Sequence, residues 1–255
     1  PRRSLFVRRP PFRAVDQVGF KISHGENVGL VGESGCGKST LARAILALDA
    51  LQGGEIRLNG HVVSSAGDGP HPELRARMQV VFQDPYGSFN PRHRVRRLVT
   101  EPFHLLKSPP RGAELERRID RALVEVGLSS SDADKYIHEF SGGQRQRIAI
   151  ARALIIEPAL IVLDEAVSAL DVSIRAQILD LLAGLSDRLD LSYLFISHDL
   201  SVVRAITDRV LVMKDGRIVE QGETDSVFRN PQHPYTQMLV AATPSLDAAL
   251  AAPAS

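Results

Sequence analysis

Short apolar runs alternate along the chain with stretches of helical periodicity. Runs in which hydrophobic residues are consecutive, or alternate with polar ones, are typical of β-strands. They occur at 19–23, 27–31, 55–59, 79–82, 160–163, 192–197 and 209–213. Apolar residues recur every three or four positions at 39–48, 115–126, 142–156 and 174–189, which predicts helices. Strands that alternate with helices predict an α/β fold built on a largely parallel, doubly wound sheet.

One long interval departs from this alternation. Residues 84–139 contain several prolines and many Arg and Glu residues, but no strong apolar strand pattern. We therefore predict a helical lobe inserted into the sheet. Further along, Asp215 and Gly216 separate two short strand patterns. An Asp-Gly pair tolerates the positive φ angles of a tight turn, so a hairpin is predicted there.

Composition and charge narrow the class of protein. The 255 residues include 31 Lys and Arg against 30 Asp and Glu, and a formal net charge of +1 provides no broad field for nonspecific nucleic-acid binding. The single cysteine, Cys36, excludes an internal disulfide and a multi-cysteine metal site within this chain. The richest apolar stretch, 153–163, is interrupted by Glu157 and Pro158. It is too short to cross a bilayer, so we expect any membrane role to depend on a partner.

A glycine-rich segment at 32–39 has the form G-x-x-x-x-G-K-[ST]. It follows an apolar strand and precedes a helix, as a phosphate-binding loop requires. We expect Lys38 to reach the β- and γ-phosphates and Ser39 to bind Mg²⁺, while backbone N–H groups converge on the phosphate oxygens. The alternative is a glycine-rich turn that holds a structural lysine. The residues predicted to bind ATP are Gly32, Glu33, Ser34, Gly35, Cys36, Gly37, Lys38, Ser39 and Thr40.

Two acidic residues, Asp164 and Glu165, follow the apolar run at 160–163. The carboxyl ends of strands form the ligand-binding edge of an open α/β sheet. Adjacent side chains of a strand point in opposite directions, so the two carboxylates can have separate roles. We expect Asp164 to hold Mg²⁺ and Glu165 to polarise the water that attacks the γ-phosphate. The alternative is a solvated acidic turn, which the phosphate-binding loop makes the weaker interpretation.

Two further polar residues are predicted at the same edge of the sheet. His198 follows the strand pattern at 192–197, where it can contact the γ-phosphate and hold the attacking water. Gln83 follows the pattern at 79–82, and its amide can reach Mg²⁺ or water. The predicted catalytic residues are Glu165, His198 and Gln83. The predicted metal ligands are Ser39, Gln83 and Asp164.

A second candidate anion site lies at the start of the predicted helix 142–156. The segment Ser141-Gly142-Gly143-Gln144 places a serine and bare backbone at this helix N terminus. One nucleotide does not need two phosphate-binding helix starts. We therefore predict two subunits, in which this segment of one copy closes on the γ-phosphate held by the other. The alternative is an ordinary N-capped helix.

These motifs, in this order, resemble those of the nucleotide-binding subunits of ATP-binding cassette (ABC) transporters. The resemblance runs from about residue 13 to residue 244. Its matching pieces are the P-loop 32–39, the Q-loop Gln83, the signature Ser141 to Gln144, the Walker B strand ending at Asp164, the catalytic Glu165, the D-loop Ser168, Ala169, Leu170 and Asp171, and the switch His198. It implies a P-loop NTPase fold with a RecA-like sheet, an antiparallel β subdomain and an inserted α-helical subdomain.

The resemblance also implies a domain plan and a subfamily. One ABC ATPase domain would span the chain, with its core at 1–83 and 158–230, a helical subdomain at 84–157 and a C-terminal extension at 231–255. Residues 81–92 and 233–237 resemble the ATPases of oligopeptide, dipeptide and nickel importers. The chain departs from the commoner family pattern at Phe140 and at Ala166-Val167. Phe6 and Phe12 are the candidates for stacking on adenine.

The implied function is ATP hydrolysis that powers import of peptides, or of a related small solute such as nickel, through a membrane permease. ATP and Mg²⁺ are the implied cofactors. The implied partners are a second ABC ATPase subunit, transmembrane permease subunits and, indirectly, an external solute-binding protein, with no nucleic acid. The expected location is peripheral, at the cytoplasmic face of the inner membrane. Two alternatives are a soluble ABC ATPase acting on ribosomes or DNA, and a small-molecule kinase, which would not need the 141–144 segment.

Overall fold

A computed structural model describes residues 13–67, 71–83 and 87–243. Its strands are β1 (Asn27–Val31), β2 (Glu55–Leu58), β3 (His61–Ser65), β4 (Met78–Phe82), β5 (Leu160–Asp164), β6 (Ser192–Ile196), β7 (Arg209–Lys214) and β8 (Arg217–Glu223). Six of them form one sheet in the order β4-β5-β6-β1-β7-β8. The first five run parallel, and β8 is antiparallel to β7. The strands β2 and β3 form a separate antiparallel pair.

Helices cover both faces of the large sheet. They are α1 (Lys38–Ile45), α2 (Pro72–Arg75), α3 (Val95–Val99), α4 (Gly112–Glu125), α5 (Gly142–Leu154), α6 (Val172–Leu189), α7 (Leu200–Ile206), α8 (Thr224–Arg229) and α9 (Pro234–Ala241). Side chains of β6 alternate between two apolar clusters, with Tyr193 in the cluster that contains α6 and Leu194 in the cluster that contains α1. Strands buried on both faces explain the continuous apolar runs, and the doubly wound prediction is confirmed.

The inserted segment is helical in its described part. Between residues 87 and 157 the elements are α3, α4, α5 and three short 3₁₀ helices, at Glu101–Leu105, Ser130–Asp134 and Ile137–Glu139. A single isolated bridge joins Arg94 to Tyr136. Buried side chains of α4 and α5 belong to the same apolar cluster as one face of the sheet. The insertion therefore packs directly on the core, while the predicted boundaries of 84 and 157 remain a prediction.

The predicted hairpin at residues 214–217 is confirmed. Asp215 and Gly216 have φ angles of 48° and 80°, which a two-residue turn between β7 and β8 requires. The strand β3 was not predicted, although Asn59-Gly60 between β2 and β3 gives the same signal, with φ angles of 49° and 80°. The short helices α2, α7, α8 and α9 were also not predicted, because four to eight residues carry little periodicity.

The predicted strand at 19–23 is wrong. These residues have no strand assignment, yet Phe20 and Ile22 pack on the cluster that contains α1. The side chains alternate between exposed and partly buried as they would in a strand, so the sequence pattern predicted a strand here. A strand also needs a hydrogen-bonded neighbour, and none of the described strands pairs with residues 19–23.

Candidate ATP-binding and hydrolysis site

The glycine-rich loop between β1 and α1 is tightly enclosed. Gly37 has a φ angle of 111°, and a Cβ atom at this position would lie 2.2 Å from the carbonyl oxygen of Ala14. A Cβ on Gly32 would lie 2.2 Å from the carbonyl oxygen of Met213. Backbone atoms cannot yield as a flexible side chain can, so both positions require glycine. The loop is thereby held against β7 and the N-terminal segment.

Lys38 directs its charge into this loop. The side chain is 7% exposed, and Nζ donates to the carbonyl oxygens of Gly32 at 2.7 Å and Glu33 at 3.0 Å. A buried ammonium group at the first turn of α1 adds to the positive end of the helix. The loop therefore combines backbone N–H groups, a helix N terminus and a buried cation, the arrangement that favours a phosphate ligand.

The carboxyl ends of β4 and β5 form a cleft beside the loop. The cleft has a volume of about 550 Å³ and is lined by Ser39, Phe82, Gln83, Gly87, Ser88, Asp164 and Glu165. The structure thus brings together all three predicted metal ligands and two of the three predicted catalytic residues, Gln83 and Glu165. Phe82, Gly87 and Ser88 belong to the segment 81–92 that resembles the importers, but the sequence did not predict that they line this cleft. Phe82 is 40% exposed although it ends an apolar strand, so the carboxyl end of β4 is open to solvent.

The environment of Asp164 disfavours its ionised form. Burial raises the pKa of Asp164 above its usual range, and the neighbouring Glu165 carboxylate adds to the shift. Lys38 and a hydrogen bond with the Ser39 hydroxyl oppose it without reversing it. A bound cation would offset this cost, because it stabilises the ionised carboxylate.

The donor set suits Mg²⁺ held jointly with a nucleotide. A hydroxyl, a carboxylate and an amide oxygen are the hard oxygen ligands that Mg²⁺ takes, usually with water and phosphate completing the shell. Across residues 13–67, 71–83 and 87–243, no group of three or more His, Cys, Asp or Glu side chains is placed to bind a metal.

Glu165 and His198 meet in space although 33 residues separate them. The distance from His198 Nδ1 to Glu165 Oε1 is 3.2 Å. Glu165 adopts a φ angle of 51°, and its N–H donates to the carbonyl oxygen of Ile196 at 2.9 Å. Its own carbonyl oxygen accepts from the Ser168 hydroxyl at 2.9 Å. The predicted D-loop thus holds the predicted catalytic carboxylate through its backbone.

The end of the predicted D-loop is tied to the predicted switch segment. Asp171 caps α6 by accepting from the Ile174 N–H at 3.0 Å, and this hydrogen bond lowers the pKa of Asp171. Arg175 in the first turn of α6 donates to the Leu170 carbonyl oxygen at 3.3 Å and to Asp199 at 3.1 Å. Asp199 follows His198 directly, so these contacts link both segments to the start of α6.

The signature segment forms the start of α5. Ser141 forms a capping box on α5: its hydroxyl accepts from the Gln144 N–H at 3.4 Å, and its own N–H donates to the Gln144 side chain at 3.0 Å. Gly143 is buried against α6, where an added Cβ would lie 2.6 Å from Ile174. Residues 141–144 are not among those that line the cleft.

The family is established by direct comparison. The family model described as "ABC transporter" matches residues 15–168, and the model described as "Oligopeptide/dipeptide transporter, C-terminal region" matches residues 219–254. The chain belongs to the ABC transporter family, and it is an ATPase of the P-loop class. The resemblance inferred from the motifs is confirmed.

Individual relatives and one solved structure show which ABC proteins this chain is similar to. The dipeptide transport ATP-binding protein DppF of Escherichia coli is 46% identical over 96% of this chain and 73% of its own length. The glutathione import ATP-binding protein GsiA of Escherichia coli is 51% identical over 91% of this chain and 37% of its own length. The solved dimer of the ATP-binding cassette MJ0796 with ADP and Pi is 29% identical with a TM-score of 0.71, covering 83% of this chain and 90% of that one. These similarities favour transport over the ribosome, DNA and kinase alternatives.

Two further predictions concern a membrane span and the residue that stacks on adenine. Within the described part of the chain, no helix is both long enough and apolar enough to cross a bilayer. The adenine-stacking candidates Phe6 and Phe12 lie outside the described residues.

Proposed function

We propose that this chain is the ATP-hydrolysing subunit of an importer for peptides or a related small solute. The observation that carries the proposal is the common cleft of Ser39, Gln83, Asp164 and Glu165 next to the buried Lys38. The names of the relatives, dipeptide transport and glutathione import proteins, support a small peptide as the cargo. The match of residues 219–254 to the oligopeptide/dipeptide transporter C-terminal region supports the same substrate class.

The residues around the phosphates are proposed to bind and neutralise charge. Lys38 and the N–H groups of the loop bind the β- and γ-phosphates, where negative charge is stabilised in the transition state. Ser39, Gln83 and Asp164 hold Mg²⁺. When bound, the metal neutralises phosphate oxygens as a Lewis acid.

The residues at the ends of β5 and β6 are proposed to act on water. Glu165 orients and polarises the attacking water, as a carboxylate placed beside the γ-phosphate can. His198 lies within hydrogen-bond distance of Glu165 and steadies both the water and the γ-phosphate. Ser168 and Ile196 hold the backbone of Glu165, so the carboxylate enters the cleft already oriented.

We propose that two ATPase subunits complete the site. The start of α5, with exposed Ser141 and Gly142, would close on the γ-phosphate bound by the other subunit. The two subunits would clamp ATP and separate after hydrolysis. The dimer of the related cassette MJ0796, solved with ADP and Pi, supports this arrangement.

Gly142 provides a test of the dimer. A Cβ at Gly142 meets no atom within 4 Å in the single chain, so Gly142→Asp is expected to fold normally and to bind ATP with unchanged affinity. The added carboxylate would face the partner's γ-phosphate, and we expect ATPase activity to fall at least about tenfold through like-charge repulsion. Steady-state hydrolysis and fluorescent-nucleotide binding measure the two quantities.

The matched control is the neighbouring glycine. Gly143→Ala introduces a contact with Ile174 within the same chain, so its effect should appear as a lower melting temperature. Wild-type ATPase activity of Gly142→Asp at protein concentrations where ATP drives association would contradict the two-subunit site.

The permease partner is proposed to dock beside the cleft. The segment that follows Gln83, through Arg97, would contact a cytoplasmic helix of the transmembrane subunits, so that closure of the ATPase pair moves the permease. Gly87 and Ser88 line the cleft, while Asn90, Pro91 and Arg92 are exposed next to them. The chain would then lie at the cytoplasmic face of the inner membrane, as a peripheral subunit.

Transport by the reconstituted complex tests this docking. With the permease in vesicles, we expect Arg92→Glu to lower the amount of dipeptide transported per ATP hydrolysed by about fivefold or more, because reversed charge weakens a subunit contact. Nickel uptake in parallel vesicles distinguishes the two cargo classes. If substitutions across residues 87–92 left this ratio at the wild-type value, the docking proposal would be abandoned.

A further inference from the structure

A tyrosine from the C-terminal part of the chain contacts the phosphate-binding loop. The Glu33 N–H donates to the Tyr235 hydroxyl at 2.8 Å, across 202 residues of sequence. Tyr235 belongs to α9, within the region that matches the peptide-transporter C-terminal model. Neither the P-loop motif nor the resemblance assigns this contact a role.

The Tyr235 side chain is firmly held. It is 4% exposed, and the Lys214 ammonium lies 5.0 Å from the centre of its ring. The Tyr235 N–H donates to Nδ1 of His233, which caps α9. The Glu220 carboxylate in β8 accepts from the N–H groups of Gln232 at 2.8 Å and His233 at 2.9 Å. The hydroxyl is therefore presented to the loop by an anchored helix start.

Burial raises the pKa of Tyr235, so its hydroxyl stays protonated and neutral throughout the physiological range. A neutral hydroxyl can accept the Glu33 N–H without placing negative charge beside the phosphate site. The hydroxyl thus adds a hydrogen bond to the loop without opposing an anionic ligand.

Several hydrogen bonds fix the conformation of the loop. Lys38 binds the carbonyl oxygens of Gly32 and Glu33 from inside the loop. The Gly216 N–H donates to the Cys36 carbonyl oxygen at 2.9 Å. The Tyr235 hydroxyl binds the N–H side of Glu33. Within the loop, the Cys36 N–H also donates to the Glu33 carbonyl oxygen at 3.3 Å. Because Lys38 must share its donors with phosphate oxygens, Tyr235 gives Glu33 a hydrogen bond that depends neither on the lysine nor on the loop's own backbone.

We propose that Tyr235 is a positioning residue for nucleotide binding, and that its hydroxyl preorganises the first turn of the phosphate-binding loop. A loop held in its binding conformation loses less conformational entropy when the ligand arrives, so its affinity is higher. This inference rests on the proposed function of the loop as the ATP phosphate site. It assigns the C-terminal region of this chain a direct effect on ATP affinity.

The test is Tyr235→Phe in the full-length protein. The variant keeps the ring and its packing and removes only the hydroxyl. We expect the KM for ATP and the Kd for a fluorescent ATP analogue to rise about three- to tenfold, the effect of one net hydrogen bond. We expect kcat to stay within about twofold of wild type, because no group that contacts the reacting atoms changes. A purely structural role would not separate KM from kcat in this way.

The matched control is Tyr193→Phe. The Tyr193 hydroxyl is also buried and donates to the Leu182 carbonyl oxygen at 3.2 Å, on the face of the sheet that packs against α6. Both variants lose one buried hydrogen bond, so both should show a lower melting temperature, whereas only Tyr235→Phe should lose affinity. An unchanged KM in Tyr235→Phe, or an equal rise in Tyr193→Phe, would overturn the inference.

Two more variants keep the result interpretable. Lys38→Ala tests the site itself: if it binds ATP as tightly as wild type, the proposed phosphate site is wrong. If Lys38→Ala loses affinity and Tyr235→Phe does not, only the role of Tyr235 fails. Should Tyr235→Phe fail to fold, Glu220→Ala frees the N–H groups of Gln232 and His233 and is expected to raise KM in the same direction. An unchanged KM there would count against the inference.

Discussion

Replacing Glu165 by glutamine is expected to lower kcat for ATP hydrolysis by about 10²–10⁴-fold, the contribution of a general base, while ATP binding is preserved. The amide is the same size as the carboxylate and can keep a hydrogen bond with His198, now 3.2 Å away. It cannot accept the proton of the attacking water. The phosphate-binding loop is unaffected, so the ATP-bound dimer should accumulate. Steady-state hydrolysis and light scattering with Mg-ATP measure the two effects.

The control for Glu165→Gln is to compare its oligomeric state with ATP and with ADP. The variant should elute as a dimer with ATP and as a monomer with ADP, because only the γ-phosphate contacts the second subunit in the proposed site. If Glu165→Gln hydrolysed ATP at the wild-type rate, Glu165 would have no part in activating water. If it lost activity but never dimerised with ATP, the carboxylate role would stand and the two-subunit site would fall.

Replacing Asp164 by asparagine is expected to lower ATPase activity and to raise the stability of the fold. We expect hydrolysis to fall by about 10²–10³-fold, because a charge that holds the metal at the phosphates is lost. We also expect the melting temperature at neutral pH, without nucleotide or Mg²⁺, to rise by about 2–4 °C. The ionised Asp164 is unfavourable in the folded protein, since burial and the Glu165 carboxylate raise its pKa. A neutral amide removes this cost.

The sign of the pH dependence distinguishes this explanation from better packing. A raised pKa in the folded state means that ionised Asp164 destabilises the protein in full above that pKa. This cost declines as the pH falls through the folded-state pKa and is gone below the pKa of the unfolded chain. The advantage of Asp164→Asn should therefore be largest at neutral pH and disappear in acid. Asp171→Asn should lower the melting temperature at neutral pH, and this loss should disappear in acid, because the pKa of Asp171 is lowered and its charge stabilises the fold. A gain for Asp164→Asn that is equal at all pH values would refute the explanation.

Much of the site could be predicted because its parts are contiguous in sequence. The spacing of Gly32, Gly37 and Lys38 encodes the loop, and each of the apolar runs before Asp164 and His198 ends at the ligand-binding edge of the sheet. The family resemblance added the signature and the D-loop, whose individual roles remain predictions. The sequence could not predict that Phe82 and Ser88 line the cleft or that Tyr235 contacts the phosphate-binding loop, because none of them belongs to a short motif with a known geometry.

Local patterns misled where long-range pairing decides the outcome. Residues 19–23 alternate like a strand, but none of the described strands pairs with them. Conversely, β3 has a weak pattern of its own and becomes a strand because β2 pairs with it. Strand formation requires a partner, and the availability of that partner depends on the whole sheet.

The sequence by itself determined the alternation of strands with helices, the phosphate-binding loop and the membership of an ATPase family, because periodicity and glycine spacing act within a few residues. Only the tertiary structure decided that Glu165 meets His198 and that Tyr235 meets Glu33. The physical reason is that these pairs are separated by 33 and 202 residues, so their distances depend on strand order and helix packing across the molecule.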